Sequence, residues 1–67
     1  MRLIINGQER ENLVSKTLAE LARELDIGAP HFAMALNGDV VPKSQYDTAR
    51  IKDGDKIEIV HAVGGGV

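Results

Sequence analysis

The sequence contains no cysteine and no tryptophan, and of its 67 residues only Phe32 and Tyr46 are aromatic. Without cysteine it cannot be a disulfide-stapled secreted mini-protein. With so few rings, the core must be built from Leu, Ile, Val, Met and Ala, and a chain this short buries only about 60% of its unfolded surface. That leaves little interior for a catalytic pocket and excludes a multidomain enzyme. No long apolar run is present: the longest, Phe32 to Leu36, is far short of the roughly 20 residues that cross a bilayer. The N-terminus opens on a strand pattern instead of a signal-peptide core. Neither sign of charge dominates, because 8 basic and 10 acidic residues are interleaved for a net charge of −2. There is thus no basic stripe to neutralise phosphates and no acidic tail. The expectation is a cytoplasmic domain with neither nucleic-acid nor membrane partners.

What is present falls into short, well-punctuated segments. Leu3 and Ile5, with Met1, alternate against Arg2 and Asn6, and Asn6-Gly7 follows, which predicts a strand entering a hairpin. The return strand should run from Gln8 to Val14, and its charges at Glu9, Arg10 and Glu11 suit a sheet edge. Thr17 and Glu20 form a capping box, with the glutamate expected to reach back to the cap amide. A helix follows over Leu18 to Leu25, with Leu18, Leu21, Ala22 and Leu25 on one apolar stripe and Glu20, Arg23 and Glu24 facing water. Gly28 is read as its left-handed stop, and Pro30 keeps it from resuming.

From Phe32 the period returns to two. Phe32, Met34 and Leu36 should face the helix and Ala33 and Ala35 the other side, before a second hairpin signal at Asn37-Gly38. Val40 and Val41 make a short return ended by Pro42, and Lys43 to Arg50 reads as an irregular crossing with Tyr46 and Ile51 turned inward. Asp53-Gly54-Asp55 is a tight turn in which both carboxylates are expected to bond local amides. It launches a last strand, Lys56 to Val60, with Ile57 and Ile59 inward. Hairpin, helix, then further strands is an α+β order, a mixed sheet of four to five strands with one main helix packed on one face. If the first and last strands are neighbours, the arrangement is a β-grasp.

After Val60 the pattern stops, and the chain reads His61-Ala62-Val63-Gly64-Gly65-Gly66-Val67. Consecutive glycines have nothing to pack and the highest entropic cost of ordering, so the sequence predicts a flexible arm. Its six residues to Gly66 reach about 20 Å when extended. Terminal glycines are often no more than a frayed end. Leaving the last strand of a small one-helix domain, they also suit a terminus that threads a narrow enzyme channel, since only glycine lets the walls close on the backbone without meeting a Cβ. We place the folded domain at residues 1–63 and the glycine tail at 64–67.

Taken in order and spacing, several stretches carry a resemblance: Met1 to Gly7, Thr17-Leu18-x-Glu20-Leu21, Ala35 to Pro42, Asp53 to Val60, and Gly64-Gly65-Gly66. Together they resemble the ubiquitin-like sulfur carrier family (ThiS/MoaD), and within it the ThiS carriers of thiamin (thiazole) biosynthesis. The resemblance implies a protein that is itself a substrate, not an enzyme, and that binds no cofactor. A ThiF-like adenylating enzyme would use ATP and magnesium to activate the carboxylate of Gly66, with Gly65 and Gly64 as its flexible approach. Sulfur from a donor such as a cysteine desulfurase would displace AMP, and the thiocarboxylate would pass its sulfur to thiazole synthase. Such a carrier needs no cysteine of its own. Val67 departs from the pattern, because Gly66 has no free carboxylate while that peptide bond persists. Removal of Val67 by a peptidase is therefore expected, with a gene-model artefact as the competing explanation.

The remaining candidates are a surface and two histidines. Ile4, Ala33, Ala35 and Val60 should share the sheet face opposite the helix and form a partner-docking surface with His61 at the root of the arm; the alternative is ordinary scattered apolarity. His31 and His61 have no metal-ligand spacing around them, and no catalytic triad, nucleophile elbow or phosphate loop is visible. The competing functions are a MoaD-like carrier for molybdopterin, a carrier for another sulfur metabolite, or a non-catalytic β-grasp interaction module.

Overall fold

Alternation in the first strand sets the inside of the molecule. In a computed structural model, which describes residues 1–27 and 32–61 and His61 by its backbone alone, Leu3 and Ile5 of β1 (Leu3–Ile5) are buried while Ile4 between them is half-exposed. The order continues with β2 (Gln8–Arg10), α1 (Leu18–Glu24), β3 (Phe32–Leu36), β4 (Asp39–Val41), a 3₁₀ turn at Lys43–Gln45 and β5 (Lys56–His61). The strands form one sheet in the order β2-β1-β5-β3-β4. β1 and β5 run parallel, and the other three neighbouring pairs are antiparallel. The first and last strands are therefore neighbours, as the β-grasp expectation requires. Leu18 and Leu21 of α1 close over Leu3, Ile5, Met34, Ile57 and Ile59 in a single core, with Tyr46 and Ile51 also buried in it. Each fully buried Leu, Ile or Met contributes about 1.5–3 kcal/mol by leaving water.

The helix is held at both ends by the loops that flank it. At its start, Glu20 N–H donates to Thr17 Oγ1 (3.2 Å), whereas the Glu20 carboxylate accepts from the Lys16 amide (2.8 Å), one residue earlier than the capping box predicts. Two further first-turn amides that a lone helix would leave unpaired donate to the crossing segment: Leu18 N–H to Ala49 O and Ala19 N–H to Tyr46 O, both at 3.0 Å. At its end Asp26 is left-handed (φ +54); Gly28, expected to be the stop, lies outside the described residues. Asp26 N–H donates to Arg23 O and Ile27 N–H to Ala22 O, which is a Schellman closure, with Ile27 packed against the core as its apolar partner. Aspartate is among the few residues that tolerate this conformation.

The predicted second strand is cut short. It was expected to continue to Val14, but β2 ends at Arg10 because Asn12 turns left-handed (φ +64) and swings Leu13 into the core. Val14 is left 79% exposed. Glu24 ties this loop to the helix: its carboxylate accepts from the Val14 amide (3.0 Å), the Ser15 amide (3.1 Å) and the Ser15 hydroxyl. The Ser15 hydroxyl bond first, and then the two amide bonds, outweigh partial desolvation and hold the Glu24 carboxyl below its ordinary value of 4.5.

Both Asn-Gly pairs make two-residue hairpin turns, with Asn6 and Asn37 at φ +51. Each asparagine also bonds across to β5. Asn6 Oδ1 accepts from Ile59 N–H (2.8 Å) and its Nδ2 donates to Ile59 O (3.2 Å), so the side-chain amide imitates a strand where β1 has turned away. From the other flank, Asn37 Oδ1 accepts from Lys56 N–H (3.0 Å), and Asn37 Nδ2 donates to buried Asp55 (3.1 Å). Asp55 also caps the local Lys52 amide (2.9 Å), as expected for its turn. Asp53 departs from that expectation: it accepts from the amide of Arg2 (2.7 Å), 51 residues away, and so anchors the turn to the start of β1.

Replacing Asn6 with glycine separates its two roles. Glycine keeps the left-handed turn but removes both bonds to Ile59, so Asn6→Gly should lose about 1–2 kcal/mol in urea denaturation; an unchanged or raised midpoint would show that Asn6 only shapes the turn. Because the Glu24 pKa is depressed in the folded state, its contribution is complete above about pH 4.5 and is lost as pH falls through the folded value. Glu24→Gln should therefore trail the parent protein at neutral pH and approach it under acid conditions, as measured by denaturation midpoints at several pH values.

Candidate functional site

The strand that leads to the glycines is the middle strand of the sheet. β5 is supported on one side by β3 from Leu36↔Ile57 to Phe32↔His61. On its other side β1 pairs only as far as Ile57, and the Asn6 side chain then takes over at Ile59. The chain is thus fixed in direction up to the root of the arm. Gly64, Gly65, Gly66 and Val67 themselves lie outside the described residues, as does His31. His61 is defined by its backbone, opposite Phe32.

On the face away from the helix, register decides which of the expected docking residues meet. Ala33 lies directly opposite Val60, and Ala35 lies between Glu58 on β5 and Val40 on β4. Ala33 is exposed, Ala35 half-buried, and Val60 and Val40 are 64% and 76% exposed. These four make a continuous apolar strip across three strands. Ile4 is on the same face, but Lys56 stands directly opposite it on β5 and Glu58 follows, so Ile4 is separated from the strip by charged residues. Beside it, Arg2 and Glu9 form an exposed ion pair (3.0 Å). An open groove lined by Ile4, Asn37, Gly38, Lys56 and Glu58 runs between the two hairpin turns. Val40 was not among the residues expected on this face. The two-residue Asn37-Gly38 turn fixes Leu36 opposite Asp39 and hence Ala35 opposite Val40, so the signal was present in the sequence.

Small and branched apolar groups bordered on β5 by Glu58, with Lys56 beyond it, suit transient protein contact, in which an apolar centre excludes water and charges at the rim set orientation. Among the described residues no group of three or more histidines and carboxylates could hold a metal ion, and no helix is long and apolar enough to cross a membrane. A second cluster lies at the tail end of the sheet on the helix side, where Phe32 stacks on Tyr46 (centroids 6.0 Å apart) with Lys43 Nζ 5.3 Å from the Phe32 ring centre. The Tyr46 hydroxyl accepts from the Met34 amide (3.0 Å), which locks the crossing segment to β3.

Comparison with known proteins agrees with this geometry. The ThiS family model matches residues 3–66, which include the three glycines. A thiazole synthase of Paramagnetospirillum magneticum is 44% identical over 66 residues, covering 98% of this chain and 20% of that protein, so the chain spans about a fifth of that relative's length. The sulfur carrier protein ThiS of Escherichia coli is 30% identical over 66 residues, covering 98% of this chain and 100% of the relative. The crystal structure of the thiamine biosynthesis protein ThiS from Geobacter metallireducens superposes with a TM-score of 0.84 at 30% identity, over 98% of this chain and 100% of that one. With the same β-grasp architecture and a family match from the first strand through the glycines, this chain belongs to the ThiS family.

Proposed function

We propose that this protein is a sulfur carrier of thiamin (thiazole) biosynthesis and that the carboxyl of Gly66 is the group that carries the sulfur. The observation that supports this most is that the family match runs through residue 66 and so takes in the glycines beyond β5. The protein acts as a co-substrate: it supplies a carboxyl on a narrow arm, and its partners supply the catalysis. The carboxylate of Gly66 attacks the α-phosphorus of ATP on a ThiF-like enzyme that holds magnesium, and pyrophosphate leaves. The acyl-adenylate that results has a good leaving group. A persulfide from a donor such as a cysteine desulfurase displaces AMP, and thiol reduction of the acyl disulfide leaves a thiocarboxylate. Apart from the Gly66 carboxylate itself, no group of this chain needs to act as acid, base or nucleophile, which fits a small core without a convergent set of titratable groups among the described residues.

Thiazole synthase is the proposed sulfur acceptor. In support, nearly this whole chain matches about a fifth of a thiazole synthase. The strip of Ala33, Ala35, Val40 and Val60 is the proposed contact with the adenylating enzyme, beside the strand from which the arm departs. Gly66 can be adenylated only after hydrolysis of its peptide bond to Val67, so a peptidase precedes activation in this route.

Complementation of a bacterial strain that requires thiamin because it lacks its carrier tests the proposal, using the chain ending at Gly66 as the parent. Removing Gly65 and Gly66 from that parent should abolish rescue, whereas an interaction module would keep its function. Ala35→Asp and Val60→Asp, each placing a charge in the apolar strip, should weaken binding to the adenylating enzyme about tenfold or more, equivalent to about 1.4 kcal/mol, without loss of fold. Unchanged binding in both would remove the strip from the interface.

A further inference from the structure

Both Asn-Gly pairs combine a reactive dipeptide with a side-chain amide that the fold keeps fully engaged. In an Asn-Gly sequence the backbone nitrogen of the glycine, unhindered by a Cβ, can attack the asparagine Cγ. The N–Cγ bond forms as the Cγ–Nδ2 bond breaks, the amide proton passes through solvent to the departing ammonia, and a five-membered succinimide remains. Water then opens the ring at either carbonyl to leave aspartate or isoaspartate, with no oxidant or cofactor required. For this to happen the Cγ must swing onto the following nitrogen, and here it is tethered. Asn6 is tied through both Oδ1 and Nδ2 to Ile59 (2.8 and 3.2 Å), and Asn37 through Oδ1 to Lys56 (3.0 Å) and through Nδ2 to Asp55 (3.1 Å).

We propose that Asn6-Gly7 and Asn37-Gly38 are latent succinimide-forming sites held shut by their own bonds to β5 and its leading turn. A chain that loses its grip on the tail-bearing strand is then converted irreversibly to a form that cannot regain it. The products explain the irreversibility. An aspartate at position 6 has no donor for Ile59 O and turns an oxygen toward that carbonyl. An aspartate at position 37 places a carboxylate within hydrogen-bonding distance of the Asp55 carboxylate, which is buried to 6% exposure and already engaged with the Lys52 amide. Like charges there disfavour the closed arrangement. An isoaspartate adds a methylene to the backbone of a two-residue turn whose register the flanking strands depend on. Loss of hold on β5 and chemical damage at its two clamps are therefore one coupled event.

The test is to age the full chain at mildly alkaline pH, in buffer and in unfolding urea, and to follow aspartate and isoaspartate at each site by peptide mass mapping. The proposal expects each site to react more slowly in the folded chain by about tenfold or more, since reaction must await local opening. A site whose two rates agree within about twofold is not held shut, and the proposal fails there. Asp55→Ala, which removes the partner of Asn37 Nδ2 and touches nothing at Asn6, should accelerate reaction at Asn37 more than at Asn6. Equal acceleration at both would mean that protection is global stability alone and would overturn the local lock.

Discussion

Everything in this molecule depends on how β5 is held. It is the central strand of five, it contributes Ile57 and Ile59 to the core, and the glycines within the family match follow its end after Ala62 and Val63. A central strand ordinarily needs a full ladder on each side, yet β1 supplies only Ile4 and Ile5 before turning away at Gly7. The asparagine at the turn completes the ladder with a side-chain amide that has the same donor and acceptor as a peptide group. At the other end of the strand, Asn37 Oδ1 accepts from Lys56 N–H and the Asn37 backbone amide donates to Lys56 O. Two turn residues thus become structural members of the strand they face.

The loops serve the same end. Asp53 holds the backbone of Arg2, Asp55 holds both Lys52 and Asn37, and the crossing segment supplies carbonyls to the first turn of α1 and the Tyr46 hydroxyl to β3. Among the described residues, the loops are therefore repeatedly pinned by polar bonds to other parts of the fold. A core this small gains little from burial alone, and these bonds satisfy backbone groups that would otherwise be unpaired. The outer face of the sheet is then free to present an apolar strip without serving the core.

Local patterns made most of this fold legible. The alternation of Leu3 and Ile5, the i, i+3, i+7 stripe of the helix and the two Asn-Gly turns located the strands, the helix and the hairpins, because each signal acts over a few residues. Signals failed where the decisive contact is distant. Asp53 reads as a turn former, and nothing nearby reveals that it reaches Arg2. Asn6 reads as a hairpin residue, since its bonds to Ile59 span 53 positions. Leu13 ended the second strand early because the core needed it, an override of local propensity by packing. Val40 was within reach of the register argument, which places it beside Ala35. The candidate carboxyl at Gly66 rests on sequence, with the structure showing the strand that precedes the arm.

The central claim is that the end of this chain, and no side chain, takes up sulfur. The most direct measurement is the intact mass of the protein trimmed to end at Gly66, before and after incubation with its adenylating enzyme, ATP, magnesium and a persulfide donor. The account predicts one exchange of oxygen for sulfur, placed by fragmentation on the carboxyl of Gly66, dependent on ATP and absent from the chain that retains Val67. A mass unchanged under conditions where the enzyme converts a known carrier, or sulfur found elsewhere in the chain, would contradict it.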